Sequence, residues 1–131
     1  MRYPTCQRVL CIVFFAFFTI TDFALAQVSI QSIATSNQVV PGLPSGSKFG
    51  TFINRSGLNS QSKASLVGTV LGTGVTAANN SGIWSGATGA LTLVAREGLG
   101  TPGTESGVTF SGFGDPLINA AGQIAFLGYQ G

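Results

Sequence analysis

The sequence predicts an all-β fold of tandem four-stranded units of about sixty residues, propeller-like, with a β-sandwich as the alternative. Three observations point there. Pro41 to Phe52 (PGLPSGSKFGTF) matches Pro102 to Phe113 (PGTESGVTFSGF) at Pro, Gly, Ser, Gly, Phe and Phe without a gap, 61 positions on. Self-similarity at a fixed period is the mark of a repeat architecture. All nineteen glycines follow Gln27, among many Ser, Thr and Asn residues, a composition of turns joining short strands. Between those turns lie short apolar segments, of which Ala90 to Arg96 (ALTLVAR) alternates most cleanly.

Residues 1–26 carry the pattern of a secretory signal peptide. Arg2 and Arg8 form a positive start, Val9 to Ile20 is almost unbroken apolar sequence, and Ala24-Leu25-Ala26 is a small-x-small cleavage site before Gln27. The apolar run is shorter than the ~20 residues of a membrane-spanning helix, so no span is expected after cleavage. Cys11 follows Leu10 inside the run, which does not suit lipidation. Cys6 and Cys11 both leave with this segment, so the exported part is expected to have neither thiol nor disulfide. That part also lacks His and Met. Its charges are Lys48, Arg55, Lys63 and Arg96 against Glu97, Glu105 and Asp115. So small a net charge offers nothing to steer nucleic acid or a charged membrane surface.

The elements follow in order. Val28 to Ala34 (VSIQSIA) mixes apolar and polar residues as a half-buried strand does. Thr35 to Gly46 is a loop punctuated by Pro41-Gly42 and Pro44-Ser45-Gly46. Phe49 and Phe52 flank Gly50, Thr51 and a poor helical context, so they are assigned a short strand with a bend. Asn54 to Ser62 is expected to reverse the chain. Ala64 to Leu71 is the next strand, closed by Gly72-Thr73-Gly74. Ala77 to Gly82 is a turn and Ile83 to Ser85 a short strand, whose Trp84 is expected to plug the core with its indole N–H on a carbonyl. Ala90 to Arg96, Val108 to Phe113 and Gln123 to Leu127 complete the strands. Counting from one Asn turn to the next gives four strands per unit, from Ala64 to Phe113. The chain holds fewer than two such units, so the expectation is either a continuation beyond Gly131 or assembly between chains.

The match extends outward from the Pro-Gly loop. Ile30 to Ala34 falls opposite Leu91 to Ala95, and Leu58 to Leu66 opposite Ile118 to Phe126. Ile118-Asn119-Ala120-Ala121-Gly122-Gln123-Ile124-Ala125-Phe126 resembles the NxxGxxAF signature of a family of exported bacterial tandem-repeat proteins with varied C-terminal anchors. Gly74 to Gly86, Leu91 to Gly98 and Pro102 to Asn119 also resemble that family's unit. The first copy departs from it, with Ser62, Ser65 and Leu66 in place of Gly, Ala and Phe. The resemblance implies an exported repeat protein and no particular reaction. The residues marked as the structural motif are Asn59, Asn119, Gly122, Ala125, Phe126, Phe49, Phe52, Phe110, Phe113 and Trp84. Physically, Asn opens a tight turn by bonding its own backbone, Gly takes a positive φ, and the Ala-Phe pair starts a strand that directs Phe inward.

Motifs with chemical meaning are few. Gly98-Leu99-Gly100-Thr101-Pro102-Gly103 spells GxGxxG after a strand, but Pro and Gly follow instead of a helix, and the acidic residue expected further on is missing. Gly42 to Lys48 is too short for a phosphate loop. A nucleophilic relay needs a base that the exported part lacks, and Glu97, Glu105 and Asp115 all sit at ordinary turn or surface places. Asp115 and Asn119 offer oxygen atoms to calcium, without the spaced acidic series of a built site. Asn54 and Asn79 head formal glycosylation sequons with an ordinary turn role. No catalytic residue, metal or cofactor is therefore assigned. The expected function is non-enzymatic, a structural or binding repeat protein of the cell surface or extracellular space with an unknown envelope ligand and the capacity to self-associate. The alternative is the N-terminal part of a secreted propeller-scaffold hydrolase.

Overall fold

A computed structural model describes residues 29–131, so the expected signal peptide and Val28 lie outside the described residues. The described chain is all-β, with no helix: β1 (Lys48–Leu58), β2 (Ala64–Leu71), β3 (Ser81–Gly86), β4 (Thr92–Arg96), β5 (Phe110–Phe113), β6 (Leu117–Ile118), β7 (Ile124–Ala125) and β8 (Gly128–Gln130). The first four make one antiparallel sheet in chain order, while β5 pairs with β8 and β6 with β7. None of these sheets closes on itself.

Several boundaries differ from the expected ones, for identifiable reasons. The part of Val28 to Ala34 that is described forms no strand. No neighbouring strand offers it a ladder, and it contributes Ile33 and Ala34 as packing instead. The strand around Phe49 does not stop at Asn54 but continues to Leu58, because β2 supplies partners as far as Leu58↔Ala64. The reversal is confined to the residues between Leu58 and Ala64. Irregularities between Phe49 and Phe52 and between Ile53 and Gly57 absorb the extra residues. The first of them puts two aromatic rings spaced by three on the same side, which a regular strand with its period of two cannot do. Of Gln123 to Leu127 only Ile124 and Ala125 form a strand, β7, and the next strand, β8, starts beyond it at Gly128. The expected unit groups Val108 to Phe113 with the three strands before it, yet β5 pairs with β8 outside their sheet. The sheet begins one strand earlier, at β1, because the Asn turn is the hairpin loop between β1 and β2.

The four-stranded sheet is apolar on both faces, and each face is covered. On the front, Phe49, Leu66, Val70, Trp84 and Leu91 cluster with Val40 of the preceding loop, flanked by Ile33, Ala34, Leu43 and Phe52. The Phe49 and Trp84 rings meet edge to face with centroids 4.9 Å apart. The Trp84 indole N–H donates to the Pro41 carbonyl at 3.2 Å. These rings lie over the cross-strand pair Gly68↔Gly82. A Cβ on Gly82 would come 2.7 Å from Trp84 Cη2, and one on Gly68 would come 3.2 Å from Phe52 Cδ1. Glycine inside a strand here marks close approach of a ring. On the back, Val67, Ile83 and Ala95 bury Phe110 and Phe113, with Phe126 half-buried beside them.

The stretch that covers the back is built like the start of the sheet it covers. Val39 bridges Lys48, and 61 residues on Gly100 bridges Thr109. The Val40 and Thr101 N–H groups donate to the Ser47 and Val108 carbonyls. Phe49 pairs with Val70 and Phe110 with Gln130, Phe52 with Gly68 and Phe113 with Gly128. Gly57↔Ser65 and Leu58↔Ala64 correspond to Leu117↔Ala125 and Ile118↔Ile124. The Phe49–Phe52 and Phe110–Phe113 ring centroids are both 5.2 Å apart. Gly128 repeats the role of Gly68, since a Cβ there would lie within 2.9 Å of Phe110 Cδ1.

Filling the space under the rings must force strand or ring to move. Gly82→Ala is expected to lower the free energy of unfolding by about 1–3 kcal/mol, the usual cost of overpacking. Gly100→Ala, where no atom lies within 4 Å of the new methyl, leaves the urea midpoint nearly unchanged.

Candidate functional site

Of the residues marked from sequence, Phe49 and Trp84 sit in the front cluster with Phe52 at its edge, and Phe110 and Phe113 in the back cluster with Phe126. Asn59, Asn119 and Gly122 come together elsewhere, at two adjacent hairpin turns, while Ala125 is exposed on β7. The aromatic residues are therefore packing, and the Asn turns are the polar feature presented at the surface.

Each turn is organised by its Asn. Asn59 Oδ1 accepts from the Gln61 and Lys63 N–H groups, both at 3.0 Å. Asn119 Oδ1 accepts from the Gln123 N–H at 2.9 Å, the counterpart of the Lys63 bond. The Asn59 and Asn119 N–H groups donate to the Lys63 and Gln123 carbonyls. Three residues after each Asn the chain is left-handed, at Ser62 with φ 59° and at Gly122 with φ 85°. Ser at the first position carries the steric strain that Gly avoids at the second.

The turns are joined to one another. Asn59 Nδ2 donates to the Asn119 carbonyl at 3.0 Å, linking equivalent points of the two hairpins, and Asn119 Nδ2 donates to Gln123 Oε1 at 2.7 Å. Below them, Ser65 Oγ donates to the carbonyl of the fully buried Pro116 at 3.4 Å. Gly57 leaves room for this approach, since a Cβ there would lie 3.1 Å from Ile118 Cγ2. Lys63 lies against Gly122 and places an ammonium beside the amides.

The grouping can donate and accept hydrogen bonds, but it has no nucleophile paired with a base. The carboxylates are elsewhere. Glu97 Oε2 accepts from the Ser81 N–H at 2.9 Å, a structural bond that ties the turn after β4 to the start of β3, while Glu105 and Asp115 lie on exposed loops. Among the described residues no three of His, Cys, Asp and Glu gather as a metal site would require. Gly98 and Gly103 both take a positive φ in loop segments, with no helix after them whose amides could meet a phosphate. Two features escaped the sequence reading. One is the groove of about 340 Å³ beside Phe52, lined also by Ile33, Ala34 and Leu66. The other is the exposed outer side of the second hairpin, at Leu117, Leu127 and Tyr129. Aligning Leu127 with Val67 was the signal available for the second.

A hairpin-stacked β protein with polar turns and no catalytic grouping among its described residues is the class that this geometry defines. Residues 21–131 match the family of unknown function DUF7453, and the chain belongs to that family. No curated protein and no solved structure matches it.

The Asn59 side chain can be dissected by one atom. Asn59→Asp keeps the oxygen that the Gln61 and Lys63 amides need and replaces the donor to Asn119 with an acceptor. It is expected to cost about 1 kcal/mol in urea unfolding, the scale of one net hydrogen bond, and Asn119→Asp less. The left-handed positions should respond with opposite sign. Gly122→Val loses about 1–3 kcal/mol through strain at positive φ. Ser62→Gly raises the melting midpoint by relieving the strain of a side chain at positive φ.

Proposed function

We propose that the chain is an exported, non-enzymatic repeat protein, a structural or binding scaffold of the cell surface or extracellular space. In this reading the hairpins are successive units that stack as the blades of a propeller do. The turns then face an extracellular or envelope ligand. The observation that carries the reading is the Asn59 Nδ2 bond to the Asn119 carbonyl, because it joins two points 60 residues apart, the spacing at which Leu58 to Leu66 matches Ile118 to Phe126. Residue-for-residue agreement of register and ring pairs between the two hairpins supports the same unit. Dispersed carboxylates and an Asn-rich turn surface favour contact over catalysis. The positive start, apolar run and Ala24-Leu25-Ala26 site support export.

The test is the intact mass and N-terminus of the protein recovered from its source. A species in the envelope or extracellular fraction that begins at Gln27 is the expected result. A cytosolic species that retains residues 1–26 would overturn export.

A further inference from the structure

Inside the chain, the back of the four-stranded sheet is closed by the front of the second hairpin. Val67 and Ile83 receive Phe110, Phe113 and Phe126, while Gly57 and Ser65 receive Ile118 and Pro116. Several partners in this contact have equivalents elsewhere in the chain that are exposed. On the second hairpin the counterparts of Gly57, Ser65, Val67 and Thr69 are Leu117, Ala125, Leu127 and Tyr129. Leu127 and Tyr129 lie on the same side as Gly114, where a Cβ would come 3.3 Å from Leu127 Cβ and 3.8 Å from Tyr129 Oη. That side faces away from Phe110 and Phe113. Leu117 is 71% exposed, Leu127 70% and Tyr129 55%, three large uncharged side chains left exposed on the second hairpin.

Among the described residues the complementary surface is open at the other end. Phe52 and Leu66 are the counterparts of Phe113 and Phe126, and they border the groove of about 340 Å³. Ile33 and Ala34 line one side of it, and they are the counterparts of Val94 and Ala95, the latter of which packs in the internal contact. Among the described residues none takes at this groove the place that Val67 and Ile83 take in the internal contact. The Leu127 side of a second hairpin carries the counterpart of Val67.

We infer that a second copy of this chain docks head to tail, the Leu117–Leu127–Tyr129 face of one copy entering the Phe52 groove of the next as a continuation of the internal hairpin-on-sheet interface. The two surfaces differ, so the contact is heterologous and does not use itself up. It builds a ring if the rotation closes and a filament if it does not. The inference rests on the unit-stacking part of the proposed function and not on export. A cytosolic location would therefore leave it standing.

Sedimentation velocity of the full chain over a wide concentration range tests it. The expected result is a mass that rises with concentration beyond the dimer, and a Leu127→Asp, Tyr129→Asp variant that stays monomeric with its melting midpoint unchanged. A second measurement needs no disruptive change. With Cys6 and Cys11 replaced by Ser, a mixture of Leu127→Cys and Ser56→Cys chains should form the mixed disulfide, Ser56 being exposed in the groove. A wild-type chain that stays monomeric throughout would mean that something other than a second copy covers these side chains, and overturns the inference. So would association that survives Leu127→Asp, or disulfides joining two Leu127→Cys chains in preference to the mixed pair.

Discussion

The constraint on which the structure depends is that β2 and β3 are apolar on both faces. Leu66, Val70 and Trp84 point one way and Val67 and Ile83 the other, and all five are buried. A lone sheet of this kind would leave one apolar face in water, so it requires a cover on each side. The loop through Val40 supplies one cover and the second hairpin the other. The described residues hold no cysteine, so this two-sided burial and not a disulfide holds the sheet in place. The position of every other element follows from it.

Glycine sets how closely the covers approach. Gly68 and Gly82 lower the floor under Phe52 and Trp84, Gly128 does the same under Phe110, and Gly57 admits Pro116 and Ile118. Rings laid on bare backbone bury a large area in little depth. The pair Phe49–Phe52 works only because the strand is irregular between them, turning both rings to one side. Sequence spacing, bulge and strand glycine are one device, used again at Phe110, Phe113 and Gly128. Its second use buries the rings against the preceding sheet.

What could be read in the sequence was local, and what could not was decided by distant partners. The Pro-Gly loops, the Asn turns and β2 carry their signals in a few residues. The bounds of β2 are those expected, because its apolar and β-branched run is bracketed by a turn and by Gly72. The polar extension of β1 through Ser56 has no such signal, since only pairing with β2 makes it a strand. Ser29 to Ala34 fails in the opposite sense, with a strand-like pattern and no ladder to join. β6, β7 and β8 are two or three residues each, too short for periodicity to register, and they exist because their partners are held in place. In the candidate site the Asn-Gly turn logic was readable, but the bond from Asn59 to Asn119 was not, since it requires the stacking of two hairpins.

Stacking also decides which surfaces are left for recognition. If the front of each hairpin lies on the back of another, the strand side chains on both faces are used in holding units together. What remains is the set of turns, with Gln61, Lys63 and Gln123 around the paired Asn residues and Glu105 and Asp115 on loops of the second unit. In the proposed scaffold a ligand would then meet groups from neighbouring units at a spacing fixed by the strands. Asn59 and Asn119 are joined by one hydrogen bond, so these two turns form one amide edge and not isolated points. Such an edge suits an extended polar chain, whose own repeat can be matched by the repeat of the turns, better than it suits a compact molecule that needs an enclosing pocket.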